Sequence, residues 1–130
     1  MKNLTFIGRL LFGIPFIFLG LGHFIELDFF TAEFTSFIAI GPYTIMLTGL
    51  LLIAAGVSII TNKLIQVSTL LLAALIFVFI LTIHIPNYLN GDETEKAFAM
   101  MAMLKDLSLM GGSLIVAGIC KERNKVNNEA

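Results

Sequence analysis

Residues 64–85 read LIQVSTLLLAALIFVFILTIHI, and this stretch decides the fold. Its only ionisable side chain is that of His84, next to the last residue. A stretch of this length matches the roughly 20 residues that a helix needs to cross the hydrocarbon core of a bilayer. The sequence therefore predicts a transmembrane helix here.

Three further apolar runs accompany it, at residues 4–25, 43–60 and 97–120. The whole chain is 58% hydrophobic and 13% charged, with a mean hydropathy of +0.96, which is far more apolar than a soluble domain of this size requires. Backbone groups in lipid must be satisfied within a helix or a closed barrel, and four short strands cannot close a barrel. We predict one all-α domain over residues 1–130, an integral membrane four-helix bundle.

Charge placement predicts the orientation of the four spans. Basic residues lie at Lys2 and Arg9, at Lys63, and in the stretch 121–125, whereas the connections 26–33 and 92–95 are acidic. Because basic connections are retained in the cytoplasm, both termini are expected there. The longer exterior connection carries four phenylalanines, three of them at helical spacing, so we expect a short helix or a lid in it.

Small residues at helical spacing predict where the helices approach one another. Glycines separated by seven residues recur in the first, second and fourth spans, and such residues allow close contact between neighbouring helices. Arg9 shares the glycine face of the first span, and its guanidinium is expected to reach either lipid phosphates or an internal partner such as a helix carbonyl. The predicted packing residues are Arg9, Gly13, Gly20, Gly49, Gly56, Gly111, Gly112 and Gly118.

Polar residues close to the predicted exterior ends of the spans form the candidate ligand pocket. They are His23, Glu26, His84, Asn87, Lys105 and Asp106. Ionisable groups at membrane depth are costly and usually functional. Lys105 and Asp106 point about 100° apart on a helix, so each is expected to need its own partner: His23 or His84 for Asp106, and Glu26 for Lys105. The alternative is a structural clamp that fixes the register of the helices.

The chemistry of this set favours an apolar ligand with polar ends. Zinc or iron would suit the histidines and carboxylates, but no pair has a dedicated ligand spacing and Lys105 would repel a cation, so no metal is predicted. A quinone fits better, since its carbonyl oxygens accept from histidine or lysine. An apolar group around residue 100 would line its ring, although such residues also pack a core or face lipid: Phe98, Met100, Met101 and Met103.

Other activities find no support in the sequence. Cys120 is the single cysteine, so no dithiol can form within the chain, and electrons for a redox reaction would come from a partner or a ligand. No basic patch is broad enough for nucleic acid.

Four segments, taken in order, resemble the DoxX family of small four-helix membrane proteins. These are Arg9-Leu-Leu-Phe-Gly13, Gly20-Leu-Gly-His23-Phe, His84-Ile-Pro-Asn87 and Leu104-Lys-Asp-Leu-Ser-Leu-Met-Gly-Gly112. The resemblance covers nearly the whole chain, and it directs attention to Arg9, His23, Lys105 and Asp106. It departs from many relatives, which have a lysine near His23.

The resemblance implies a multi-pass protein of the bacterial cytoplasmic (inner) membrane. Relatives are linked to membrane oxidoreductase complexes, so the leading interpretation is a subunit or accessory of a quinone-linked redox system, with a redox enzyme or a second copy of the chain as partner. A noncatalytic interaction protein or assembly chaperone is the alternative. A small-solute transporter comes third, because no symmetry relates the two helical hairpins.

Overall fold

The computed structural model describes residues 2–26, 28 and 42–129, and nearly all of them are helical. In chain order the elements are α1 (Lys2–Ile25), α2 (Pro42–Thr61), α3 (Ile65–Phe79), a π-helical segment (Ile80–His84), α4 (Ile85–Asn90) and α5 (Glu93–Glu129). The all-α class is confirmed. The lid predicted in the first exterior connection falls on residues outside the described ranges.

Four helical stretches within the described ranges are long and apolar enough to cross a membrane: Asn3–Ile25, Tyr43–Thr61, Ile65–Asn90 and Glu93–Asn128. The chain is therefore a multi-pass membrane protein by the length and composition of its helices. The first two stretches agree closely with the predicted spans. The third continues past residue 85 to Asn90, and the fourth begins earlier and ends later than predicted, so its polar end after Cys120 is helical.

The chain divides into two compact units, residues 1–68 and 69–130. In the first unit α1 packs against α2 through glycines. A Cβ atom added to Gly20 would lie 2.5 Å from the Gly49 carbonyl oxygen, and one added to Gly56 would lie 2.6 Å from the Gly13 carbonyl oxygen. The pairing order is reversed between the helices, so they run antiparallel. These four glycines thus lie where α1 and α2 approach most closely.

A tight turn joins α2 to α3 in the first unit. Asn62 and Leu64 have φ angles of 58° and 53°, in the left-handed region. The Ser58 hydroxyl donates to the Lys63 carbonyl oxygen and accepts from Ser68 Oγ at 2.6 Å. These bonds satisfy polar groups at the end of α2 and hold the strained turn.

In the second unit, one face of α5 is buried from Ala99 to Cys120. Its buried residues are Ala99, Asp106, Ser113, Ala117 and Cys120, most of them seven residues apart. Gly111 and Gly118 lie about 120–140° around the helix from Asp106 at 100° per residue. A Cβ atom added to either would meet nothing within 4 Å, so the predicted close contact at these two glycines is wrong. Gly112 is half-buried.

A capping box fixes the start of α5. The Glu95 backbone N–H donates to Asp92 Oδ1 at 2.9 Å, and the Asp92 backbone N–H donates to Glu95 Oε2 at 2.9 Å. This reciprocal pair begins the helix within the acidic connection, four residues before the predicted span. Gly91 is needed next to it, because a Cβ atom there would lie 2.6 Å from the Asn87 carbonyl oxygen and 2.7 Å from Glu95 Cβ.

Candidate functional site

The third span widens into a π-helical turn shortly before it ends. The Ile85 backbone N–H donates to the Ile80 carbonyl oxygen, five residues back instead of four. Pro86 follows directly, and proline has no N–H to give and a ring that clashes with the carbonyl of the fourth residue before it. A wider turn relieves that clash. Such π-helical turns occur frequently at functional sites.

The π-helical turn ends at His84, whose ring contacts Asp106 on α5. His84 Nε2 lies 2.9 Å from Asp106 Oδ2. The side chains are only 18% and 10% exposed. An ionised carboxylate only accepts hydrogen bonds, so with Asp106 in that form Nε2 is the donor. Of the two partners predicted for Asp106, the structure brings His84 to it.

Lys105 also contacts Asp106, from the neighbouring position on α5. Its Nζ lies 3.5 Å from Asp106 Oδ1. The expectation that the two residues would need separate partners is therefore wrong for Lys105: the lysine side chain is long and flexible enough to fold back across the roughly 100° between adjacent positions. Its side chain remains 63% exposed, so the lysine is accessible to a ligand.

The remaining predicted pocket residues lie elsewhere. Asn87 is exposed on α4. His23 and Glu26 belong to the first unit, where His23 Nδ1 lies 2.7 Å from the Leu19 carbonyl oxygen of its own helix and Glu26 is exposed. That these residues share a pocket with His84 stays a prediction.

The apolar residues predicted to line a ring site mostly face outward. Phe98 is 69% exposed and Met101 is 67% exposed, and Met100 is also exposed, whereas Met103 is half-buried. Their outward position suits contact with lipid. Any enclosing wall for a ligand at His84 must therefore come from other side chains.

Sequence reasoning missed two features of this region. One is the π-helical turn, for which Pro86 inside an apolar run was the available signal. The other is Ser113, which is fully buried and whose Oγ has no hydrogen-bond partner among the described residues. The seven-residue interval from Asp106 to Ser113 places both on the buried face of α5, but an interval alone does not reveal burial.

The cluster formed by His84, Lys105 and Asp106 has a defined chemistry. The His84 ring bonds to Asp106 through Nε2. Its other nitrogen, Nδ1, makes no hydrogen bond to any residue that the structure describes. In the neutral ring this nitrogen carries a lone pair that accepts a hydrogen bond or a proton. The carboxylate behind the ring orients it and stabilises the charge that protonation creates. The described residues contain no group of three or more metal-ligating side chains.

Arg9, in the first unit, is a half-buried ionisable group within a span. Its Nε is enclosed and has no hydrogen-bond partner among the described residues, and its Cζ lies 6.0 Å from the centre of the Phe6 ring. The internal carbonyl partner considered for Arg9 is not found within this part of the chain.

Comparison of the chain with protein-family models, curated proteins and solved structures found no match.

Proposed function

We propose that this chain is a DoxX-like membrane protein that binds a quinone at the cluster of His84, Lys105 and Asp106. In this proposal it serves as a subunit or accessory of a redox system of the bacterial inner membrane, with both termini in the cytoplasm. The observation that carries the proposal is the contact of 2.9 Å between His84 and Asp106 at a π-helical turn inside an apolar span.

The cluster offers two different polar groups to a ligand. Lys105 keeps an accessible ammonium group, which donates to a carbonyl oxygen. His84 Nδ1 accepts from a hydroxyl when the ring is neutral and donates to a carbonyl when the ring is protonated. A quinone and its reduced form present these two kinds of oxygen, which is why this ligand class fits better than a purely apolar one.

A bound quinone would supply reversible uptake of two electrons and two protons. The chain's own residues then hold and orient the ring, and His84 exchanges a proton at Nδ1 while Asp106 fixes its other nitrogen. Cys120 is the chain's single cysteine and is buried, so it forms no dithiol couple within the chain. Electrons for a redox reaction would then come from a partner protein or a ligand.

Titration of a quinone analogue into the purified protein in detergent tests this function. His84→Gln and Lys105→Met should each weaken binding by about tenfold, the loss expected for one hydrogen bond to a ligand. Ser108→Ala is the matched control, because Ser108 is exposed on α5 and donates only to the Leu104 carbonyl oxygen of its own helix. Absence of saturable binding to the wild-type protein would eliminate the quinone proposal.

His23→Ala extends the same titration to the first unit. A loss of affinity similar to that of His84→Gln would show that binding of the analogue also depends on His23. Wild-type affinity would restrict the site to the second unit.

One observation favours a second function, that of a membrane interaction protein. The last part of α5, residues 121–128, is helical, polar and exposed throughout. A helix that continues beyond its apolar span offers a surface for a partner protein. Deleting residues 121–130 and measuring which proteins co-purify would separate this function from ligand binding, which the deletion should leave intact.

A further inference from the structure

Arg9 is half-buried in the first unit without a polar partner among the described residues, although it lies within an apolar span. Its Nε is fully enclosed, and neither a hydrogen bond nor an ion pair joins its side chain to any residue that the structure describes. An arginine side chain at membrane depth is unfavourable unless it finds a partner. Its position is therefore best explained by an anion that is supplied from outside the chain.

The Phe6 ring fixes one side of this guanidinium. Arg9 Cζ lies 6.0 Å from the ring centre, at the limit of a cation–π contact. The contact leaves the terminal nitrogens available at the edge of the guanidinium plane. That edge is where a phosphate binds through two parallel hydrogen bonds.

A second cation lies at the same end of the α1–α2 pair. The pairing of Gly13 with Gly56 sets the register. Arg9 comes four residues before Gly13, or about 6 Å along the axis. Lys63 follows Thr61, the last residue of α2, and lies in the same direction because the helices are antiparallel. The two cations thus lie toward the same end of the α1–α2 pair. Lys63 is exposed, and its Nζ has no ion-pair partner among the described residues.

The surroundings of the two cations are apolar. Leu64, next to Lys63, is 79% exposed. Phe6 is also exposed. Acyl chains would cover such a surface, whereas a free phosphate ion would leave it in water. Basic sites between transmembrane helices bind the headgroups of acidic lipids in this way.

We infer that Arg9 and Lys63 form a binding site for the phosphate headgroup of an acidic phospholipid, where α1 begins and α2 ends. This site is distinct from the proposed quinone site and belongs to the other unit. It assigns Arg9 a ligand instead of a packing role.

Native mass spectrometry of the purified full-length protein with added phosphatidylglycerol or phosphatidylcholine tests the site. The wild-type protein should retain one phosphatidylglycerol in preference to phosphatidylcholine. Arg9→Gln should weaken that binding by about tenfold or more, and Lys63→Gln should weaken it by a smaller factor, since Arg9 provides the bidentate contact. Arg123→Gln, which removes an exposed cation from α5, is the matched control and should bind as the wild type does.

Three results would overturn the inference. The first is equal affinity for the two lipids, and the second is an Arg9→Gln affinity equal to that of Arg123→Gln. The third is displacement of phosphatidylglycerol by a modest excess of inorganic phosphate, which would make the site one for a free anion. If Arg9→Gln does not fold, Arg9→Lys and Lys63→Gln decide the matter, and wild-type binding by both would contradict the site.

Discussion

At the scale of single residues, the His84–Asp106 contact should contribute more to stability than the neighbouring Lys105–Asp106 contact. Asp106→Asn keeps the size of the side chain but removes the charged acceptor of a nearly buried ring. It should lower the free energy of unfolding by about 1–3 kcal/mol. Lys105→Met should lower it by less than about 1 kcal/mol, because the lysine side chain is 63% exposed.

Thermal unfolding in detergent compares the two variants directly. A larger effect of Lys105→Met than of Asp106→Asn would contradict the burial of the carboxylate. Ser108→Ala serves again as the control on the same helix.

At the scale of helices, the α1–α2 contact should be sensitive to a single methyl group at its glycines. Gly20→Ala places a Cβ atom 2.5 Å from the Gly49 carbonyl oxygen, so the helices must separate. A cost of about 1–3 kcal/mol is expected, as for other overpacked contacts. Gly22→Ala is the matched control, since a Cβ atom there meets nothing within 4 Å. Equal melting temperatures for the two variants would contradict the packing of this pair.

The π-helical turn should depend on Pro86. Pro86→Ala restores the missing N–H and removes the ring, so a regular α-helix becomes possible and the melting temperature should rise or stay the same. His84 would then rotate away from Asp106, and the quinone analogue should bind more weakly. Pro15→Ala, a proline within α1, is the control and should leave the affinity unchanged. A Pro86→Ala variant with wild-type affinity would show that the turn does not position His84.

The membrane spans and one helix–helix contact could be predicted from the sequence, because span length and small residues at a contact follow simple physical rules. The four spans follow from the length of their apolar runs, and the pairing of Gly13 with Gly56 follows from a repeated interval of small residues on two neighbouring helices. The same interval wrongly predicted close contact at Gly111 and Gly118. Spacing along the sequence does not say which face of a helix points toward its neighbour. The partner of Lys105 was missed because a flexible side chain is not confined to its own helix face.

At the scale of the whole molecule, topology should follow the basic residues. In a Cys120→Ser background, a cysteine introduced by Asp92→Cys should react with a membrane-impermeant thiol reagent added outside the cell. A cysteine introduced by Lys63→Cys should react only after the membrane is opened, because basic connections stay in the cytoplasm. The opposite labelling pattern would mean that both termini lie outside the cell and that His84 lies near the cytoplasmic face.

Quinone binding at His84 can be tested at its Nδ1 atom, because the chain has only two histidines. Protein labelled with ¹⁵N-histidine in lipid nanodiscs gives ring-nitrogen signals from His23 and His84, and His84→Gln identifies which signals belong to His84. A quinone analogue should shift the His84 Nδ1 signal in a saturable way, while Nε2 stays hydrogen-bonded to Asp106. A His84 spectrum that does not change at saturating analogue would show that the analogue does not bind at this ring.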